Sequence, residues 1–469
     1  MHRKSPEFGA SKESISMNHD CSVELKPEAV KSMPLLTAFV FICGIFASQR
    51  FSLNEFNIYI SFLPYIVFFH YLLAKKLDIA LSLLVVSLFL VSDNGAEAYS
   101  ETPSMLRYPI YVSGLIMLGC LSKPQIAVNK FAFLTILSVL LLITTWSFHM
   151  SVFDISTFRR DILVLIILFV FFVTRGKTTL SLPLLFATSF GFLLGELINI
   201  GWFFNYQFGD YLNYNTLKSF VVFPFLYVAF IQKKLILAAI LFFMTILVLV
   251  NYGSRMLILS FVSLLLFVTI YNNLSHLRSM LLLIISSLLV AGAIYTIGPP
   301  EAGSEMSKYK AVQFVFQFII DKSSFDALKK MDFVRFSEHQ MFFSRPVLEI
   351  IFGSGLGAGI ADTEGLLANI GFNQTAFSSE ELISSLYFGF HDYWIDFGLR
   401  FGFVLVIYIL YLASIKQVLL GRSICGILFG LLMINTTFGT AGIIFTALVI
   451  RFYPEPIVHK PITTRAVNI

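Results

Sequence analysis

Ile162-Leu163-Val164-Leu165-Ile166-Ile167-Leu168-Phe169-Val170-Phe171-Phe172-Val173 carries no polar side chain on any face of the helix it would form. A membrane β-strand alternates lipid-facing and lumen-facing residues, and the surface helix of a soluble domain keeps a polar stripe. This run does neither, and 235–250 is nearly as apolar, with Thr245 its one polar residue.

Working outward, apolar runs recur at 34–48, 56–73, 78–92, 105–121, 131–149, 161–174, 180–201, 217–231, 234–250, 255–271, 280–298, 393–414, 424–438 and 440–452. The 469 residues are 57% hydrophobic and only 13% charged, with a mean hydropathy of +0.81. Soluble domains carry about a quarter charged residues, so composition excludes that class. The expected fold is all-α, a polytopic integral membrane protein of about 12–14 transmembrane helices with one large extracytoplasmic loop.

The net charge of +5 does not point to nucleic acid, because the basic residues are scattered between the apolar runs rather than clustered. Cys43, Cys120 and Cys425 fall in apolar segments and Cys21 near the N-terminus, so neither a disulfide framework nor a zinc site is expected. Five regions follow. Residues 1–33 read as a disordered cytoplasmic tail without a cleavable signal peptide, and 34–298 as a block of membrane helices. Residues 299–392 read as the large outer loop, 393–452 as C-terminal membrane helices and 453–469 as a cytoplasmic tail.

Basic residues set the orientation. Alternate connections hold Lys75-Lys76, Lys123 with Lys130, Arg175 with Lys177, Lys233-Lys234, Arg278, Lys416 with Arg422, and Arg451. The opposite set includes the acidic stretch 93–104 and the stretch 203–216, which has no Lys or Arg. The basic set is assigned to the cytoplasm, which places both termini there and turns the long loop outward. Arg50, Arg107, Arg159, Arg160 and Arg255 then lie on the outer side. The bland reading of Arg50 and Arg107 is snorkelling to headgroups. Asp161 follows Arg159-Arg160 as a neighbour able to neutralise one of them. Asn251-Tyr252-Gly253-Ser254-Arg255 is a tight turn that fixes a guanidinium at the membrane surface.

Within the outer loop, residues 308–350 alternate charged and apolar positions in the manner of amphipathic helices at a membrane surface. Pro346 suits the first turn of a short helix and Gly353 its stop. The run Gly353-Ser354-Gly355-Leu356-Gly357 permits close approach of backbone N–H groups to an anion, although a flexible loop is its default reading. His391 stands beside Asp392 at the mouth of the next helix. Asp396 and Arg400 follow at helical spacing and read most simply as a structural ion pair. Arginines bind pyrophosphate, and an imidazole titrating near neutrality can take a proton from a sugar hydroxyl.

In these features the chain resembles the O-antigen polymerase/O-antigen ligase superfamily of bacterial polysaccharide assembly. The resemblance rests on one dominant outer loop in the C-terminal third, the Gly253-Ser254-Arg255 turn, and Arg335 ahead of a Gly-x-Gly-x-Gly run. It rests also on His391-Asp392 followed by Asp396-Phe397-Gly398-Leu399-Arg400-Phe401-Gly402. Asp392 stands where the family usually has asparagine, and Met341-Phe342-Phe343 where it often has tryptophan. The resemblance implies a GT-C-like membrane fold in the bacterial inner membrane and an inverting, metal-independent glycosyl transfer that needs no cofactor.

The donor it implies is an undecaprenyl-pyrophosphate-linked glycan and the acceptor a second glycan, with a flippase and a chain-length regulator as further partners. Arg255 and Arg335 would hold the pyrophosphate, with Arg345, Arg159 and Arg160 as second-line contacts. His391 would act on the acceptor hydroxyl and Asp392 would fix its ring. The expected activity is polymerisation of repeat units of O-antigen, capsule or exopolysaccharide. Ligation of glycan to lipid A-core or protein is the alternative, and a flippase is the rival from another class. The outer loop reads as a lid over a membrane-surface cavity.

Overall fold

The computed structural model describes residues 27–48, 54–91, 107–121, 123–124, 155, 157–158, 161–163, 174–175, 178–203, 236–237, 240–245, 333–361, 386–387, 393–403 and 440–453. They are mostly helical, as the all-α expectation requires. The helices are α1 (Pro27–Ser48), α2 (Asn54–Leu73), α3 (Leu77–Val91), α4 (Tyr108–Leu121) and α5 (Leu182–Phe203). After these come α6 (Phe333–Phe343), α7 (Val347–Phe352), α8 (Tyr393–Phe401) and α9 (Thr440–Phe452). Two minimal strand pairs accompany them. In the first, β1 (Lys123–Pro124) runs antiparallel to β2 (Thr174–Arg175), and in the second, β3 (Ile360–Ala361) runs antiparallel to β4 (Leu386–Tyr387).

Among the described residues, no helix is long and apolar enough to cross a membrane. Two boundaries differ from the sequence reading. Helix α1 begins at Pro27 and so takes in residues 27–33, which were assigned to the tail. The segment expected to run unbroken through 393–414 is interrupted at Gly402, whose φ of 83° is open to glycine but costly for other residues.

Helix α3 is the centre of the bundle. Every residue from Ala80 to Val91 is buried, and the helix packs against α1, α2, α4, α5 and α9. Its two serines cost little there, because Ser82 and Ser87 donate to the carbonyls of Asp78 and Leu83 at 2.6 and 2.9 Å. Helices α1 and α5 cross almost backbone to backbone. A Cβ on Gly44 would overlap the carbonyl oxygen of Thr188, and one on Gly191 that of Phe41. Small residues at such a crossing are what close helix packing in apolar surroundings demands. Away from the centre, α1, α2 and α4 each turn an apolar stripe outward, including Leu35, Ile42 and Phe46, then Leu63, Ile66 and Leu73, then Tyr108, Val112 and Ile116.

One end of the bundle is tied by backbone hydrogen bonds. Thr179 donates its N–H to Asp78 Oδ1 at 2.9 Å, Ser181 to Ser82 Oγ at 2.7 Å, and Leu180 to the Phe452 carbonyl at 2.9 Å. The start of α3, the approach to α5 and the end of α9 therefore meet. Just upstream of that approach, β2 pairs with β1, which follows α4. These are the connections that carry Lys75-Lys76, Lys123, Arg175 and Arg451, grouped on one side by the charge count.

Candidate functional site

The candidate site forms where the glycine run meets α8. Helix α7 starts after Pro346, whose carbonyl accepts the Glu349 N–H at 2.9 Å, and stops at Gly353 with φ 80°. Both termini match the roles read from the sequence for Pro346 and Gly353. The residues that follow do not form the flexible loop expected by default. Ser354 to Ala358 are buried, and Gly355 and Gly357 also take positive φ, at 96° and 72°. The run wraps the C-terminus of α8: Ser354 donates its N–H to the Leu399 carbonyl at 2.6 Å and Gly355 to that of Arg400 at 3.2 Å. Orphan carbonyls at a helix end are thereby satisfied by a neighbouring loop.

Glycine is required by space as well as by φ. A Cβ on Gly353 would lie 2.5 Å from the Arg400 carbonyl oxygen, and one on Gly402 would overlap that of Ile351. On the other side of α8, a Cβ on Gly398 would meet the Phe342 ring of α6 at 2.8 Å. Helices α6, α7 and α8 thus interlock around Phe342, Ile395 and Leu399, all fully buried.

At the centre lies Arg400, 1% exposed. Its Nη1 donates to Asp396 Oδ1 at 2.9 Å, which is the ion pair expected from the one-turn spacing. Its Nε lies 3.1 Å from Asp161 Oδ2, an ion pair by distance rather than by hydrogen-bond alignment. The same oxygen of Asp161 accepts the Gly357 N–H at 2.8 Å. The run does present an N–H to an anion, and the anion is a carboxylate of the protein. Asp161, read from the sequence as a neighbour for Arg159 or Arg160, also reaches Arg400 and the glycine run; those two arginines lie outside the described residues.

Arg345 approaches from the other side of the run. Its Nη2 donates to Glu349 Oε2 at 3.0 Å and also to Ser354 Oγ, while its guanidinium stands over the Phe342 ring at 5.6 Å. Among the described residues, its buried Nη1 has no hydrogen-bond partner. Burial pushes the Arg345 guanidinium below its ordinary pKa, Glu349 opposes that, and the nearby Arg400 cation adds to it. An arginine nevertheless stays charged across any physiological range. Counting Arg345 and Arg400 against Asp161, Asp396 and Glu349 leaves a formal excess of one negative charge. This cluster is built to be rigid and nearly neutral, and it does not by itself attract an anion.

Of the residues singled out in the sequence, Arg345 is placed at this cluster, and the backbone of Arg335 lies in the first turn of α6, which packs on α8 and β3. His391 and Asp392 immediately precede α8 in the sequence. They, together with Arg255, Arg159 and Arg160, lie outside the described residues, as does the side chain of Arg335. Three buried acids are not among the residues singled out as a site in the sequence. Glu196 is 1% exposed inside the apolar α5, and Asp161 and Glu338 are buried too. An acid within an apolar run is the available signal. Arg107, read as snorkelling, is buried instead. Among the described residues, no group of three or more His, Cys, Asp or Glu stands in an arrangement that would hold a metal.

No protein-family model matches the chain, and no curated protein matches it.

Proposed function

We propose that the chain is an integral membrane glycosyltransferase that joins glycan repeat units carried on polyprenyl pyrophosphate, at the outer face of the bacterial inner membrane. The membrane assignment is supported by the recurrent apolar runs and by the apolar stripes that α1, α2 and α4 turn outward. The orientation is supported by the gathering of basic connections at one end of the bundle.

The observation that carries the reading is the ordered set of short motifs around the outer loop. Its glycine run is held against the helix entered directly after His391-Asp392. In this proposal Arg255 and Arg335 bind the pyrophosphate and stabilise the charge that develops on it as the glycosidic bond breaks. Arg345 supports the site from the side rather than by direct contact, since its Nη1 is buried and its Nη2 is occupied by Glu349 and Ser354. A bidentate clamp by Arg345 alone is therefore not part of the mechanism. Arg159 and Arg160, next to the anchored Asp161, supply further positive charge. His391 takes the proton of the acceptor hydroxyl as that oxygen attacks the anomeric carbon and the pyrophosphate leaves.

The test is elongation of a purified lipid-linked repeat unit by the purified protein, without ATP or an ion gradient. Elongation that falls at least about a hundredfold in His391→Ala and Arg255→Ala is the expected result for a general base and a phosphate contact. Transfer only to lipid A-core or protein would identify a ligase. Glycan translocation across vesicles without any new glycosidic bond would identify a flippase.

A further inference from the structure

Phe343, Val347, Leu348 and Phe352 are 53%, 69%, 69% and 67% exposed, on and beside a helix of six residues. Four large apolar side chains so open on a short polar-flanked element call for a cover. What the cover is follows from where the chain goes next.

Two contacts fix the patch relative to the apolar run that begins at Phe403. Gly402 lies against the backbone of Ile351 and Phe352 so closely that a Cβ there would overlap both. Phe343 meets the Trp394 ring at 6.3 Å between centroids, and Trp394 meets Phe403 at 6.2 Å. Helical structure resumes at Phe403, and the sequence from there to 414 holds no charged residue. Phe352 thus lies beside Gly402, one residue before that run, and Phe343 is linked to Phe403 through Trp394. Trp394 stands between them, a residue type favoured at the membrane boundary.

We infer that Phe343, Val347, Leu348 and Phe352 insert into the outer leaflet, so that α6–α7 is a membrane-surface anchor of the outer loop. The inference rests on the membrane reading above, because the depth of the patch is set by the run at 403–414. Glu349, half-exposed, and the buried Arg345 mark its polar boundary. Helices that lie in the interface divide in this way, with an apolar face in the acyl boundary and charges at the headgroups.

The experiment uses the full chain in lipid nanodiscs, with native cysteines replaced and one nitroxide at Leu348→Cys or Ile409→Cys. Oxygen partitions into hydrocarbon, and a nickel chelate stays in water. Relaxation of the Leu348 label several-fold stronger by oxygen than by nickel, as for Ile409, is the expected result. A Leu348 label open to nickel while Ile409 is open to oxygen overturns the anchor and leaves the membrane reading standing. A Leu348 label shielded from both reagents means a protein cover and also overturns it. Nickel access at both positions removes the membrane reading along with the anchor. Quenching of Leu348→Trp fluorescence by lipids brominated near the headgroup gives a second readout that leaves the cysteines in place.

Discussion

Arg400 has two carboxylates for partners and almost no solvent, so removing its charge strands Asp161 and Asp396 in a dry environment. Breaking a buried pair from one side costs about 3–5 kcal/mol. Arg400→Leu should lower the yield of folded protein and its thermal midpoint in detergent far more than Arg345→Leu, whose Glu349 partner remains half in solvent. Gly402→Ala should be nearly as harmful. It forces a left-handed φ on alanine, at about 1–2 kcal/mol, and drives a methyl into the Ile351 carbonyl. At this scale the sequence was informative wherever spacing along one helix carried the relation. Asp396 with Arg400 and Pro346 with Gly353 were legible for that reason. Asp161 with Arg400 was not, because no local periodicity links partners brought together only by the tertiary fold.

Elements tell the same story through glycine. The crossing of α1 and α5 depends on Gly44 and Gly191, each in contact with a carbonyl of the other helix. Gly191→Leu should separate the pair and reduce thermal stability, whereas Gly119→Ala on α4 has nothing within 4 Å of the new methyl. That second substitution should be neutral or gain roughly 0.5–1 kcal/mol from helix propensity. Thermal unfolding of both variants in one detergent checks the contrast. Apolar runs made α2, α3, α5 and α9 legible to within a few residues, since hydrophobicity alone marks their extent. The break at Gly402 stayed hidden within an apolar run, because what ends α8 is the glycine loop packed on its carbonyls. Most of the loop read as a lid lies outside the described residues. Between residues 333 and 361 it is stitched to α8, and β3 with β4 draws the ends of the excursion at 362–385 together.

For the whole molecule, the expected arrangement is two chemically different ends. Single cysteines at the exposed Lys76 and Thr179 should react with an impermeant thiol reagent from the same side of sealed vesicles, and one at Glu349 from the other. Labelling of all three from one side would refute the orientation. The proposed polymerisation rests on a resemblance of motifs, since no spacing along one element links Arg255 to His391, and both lie outside the described residues. The buried ionic knot has a consequence for biogenesis. Asp161 and Gly357 are 196 residues apart in the chain, and Arg400 is translated later still. At ~5–20 residues per second, Asp161 waits roughly 10–40 s after synthesis before its glycine partner exists. A nascent chain therefore lacks the Gly357 and Arg400 partners of Asp161 until its C-terminal third arrives, and a prematurely terminated chain never gains them. The knot can close only in a chain whose synthesis has passed Arg400.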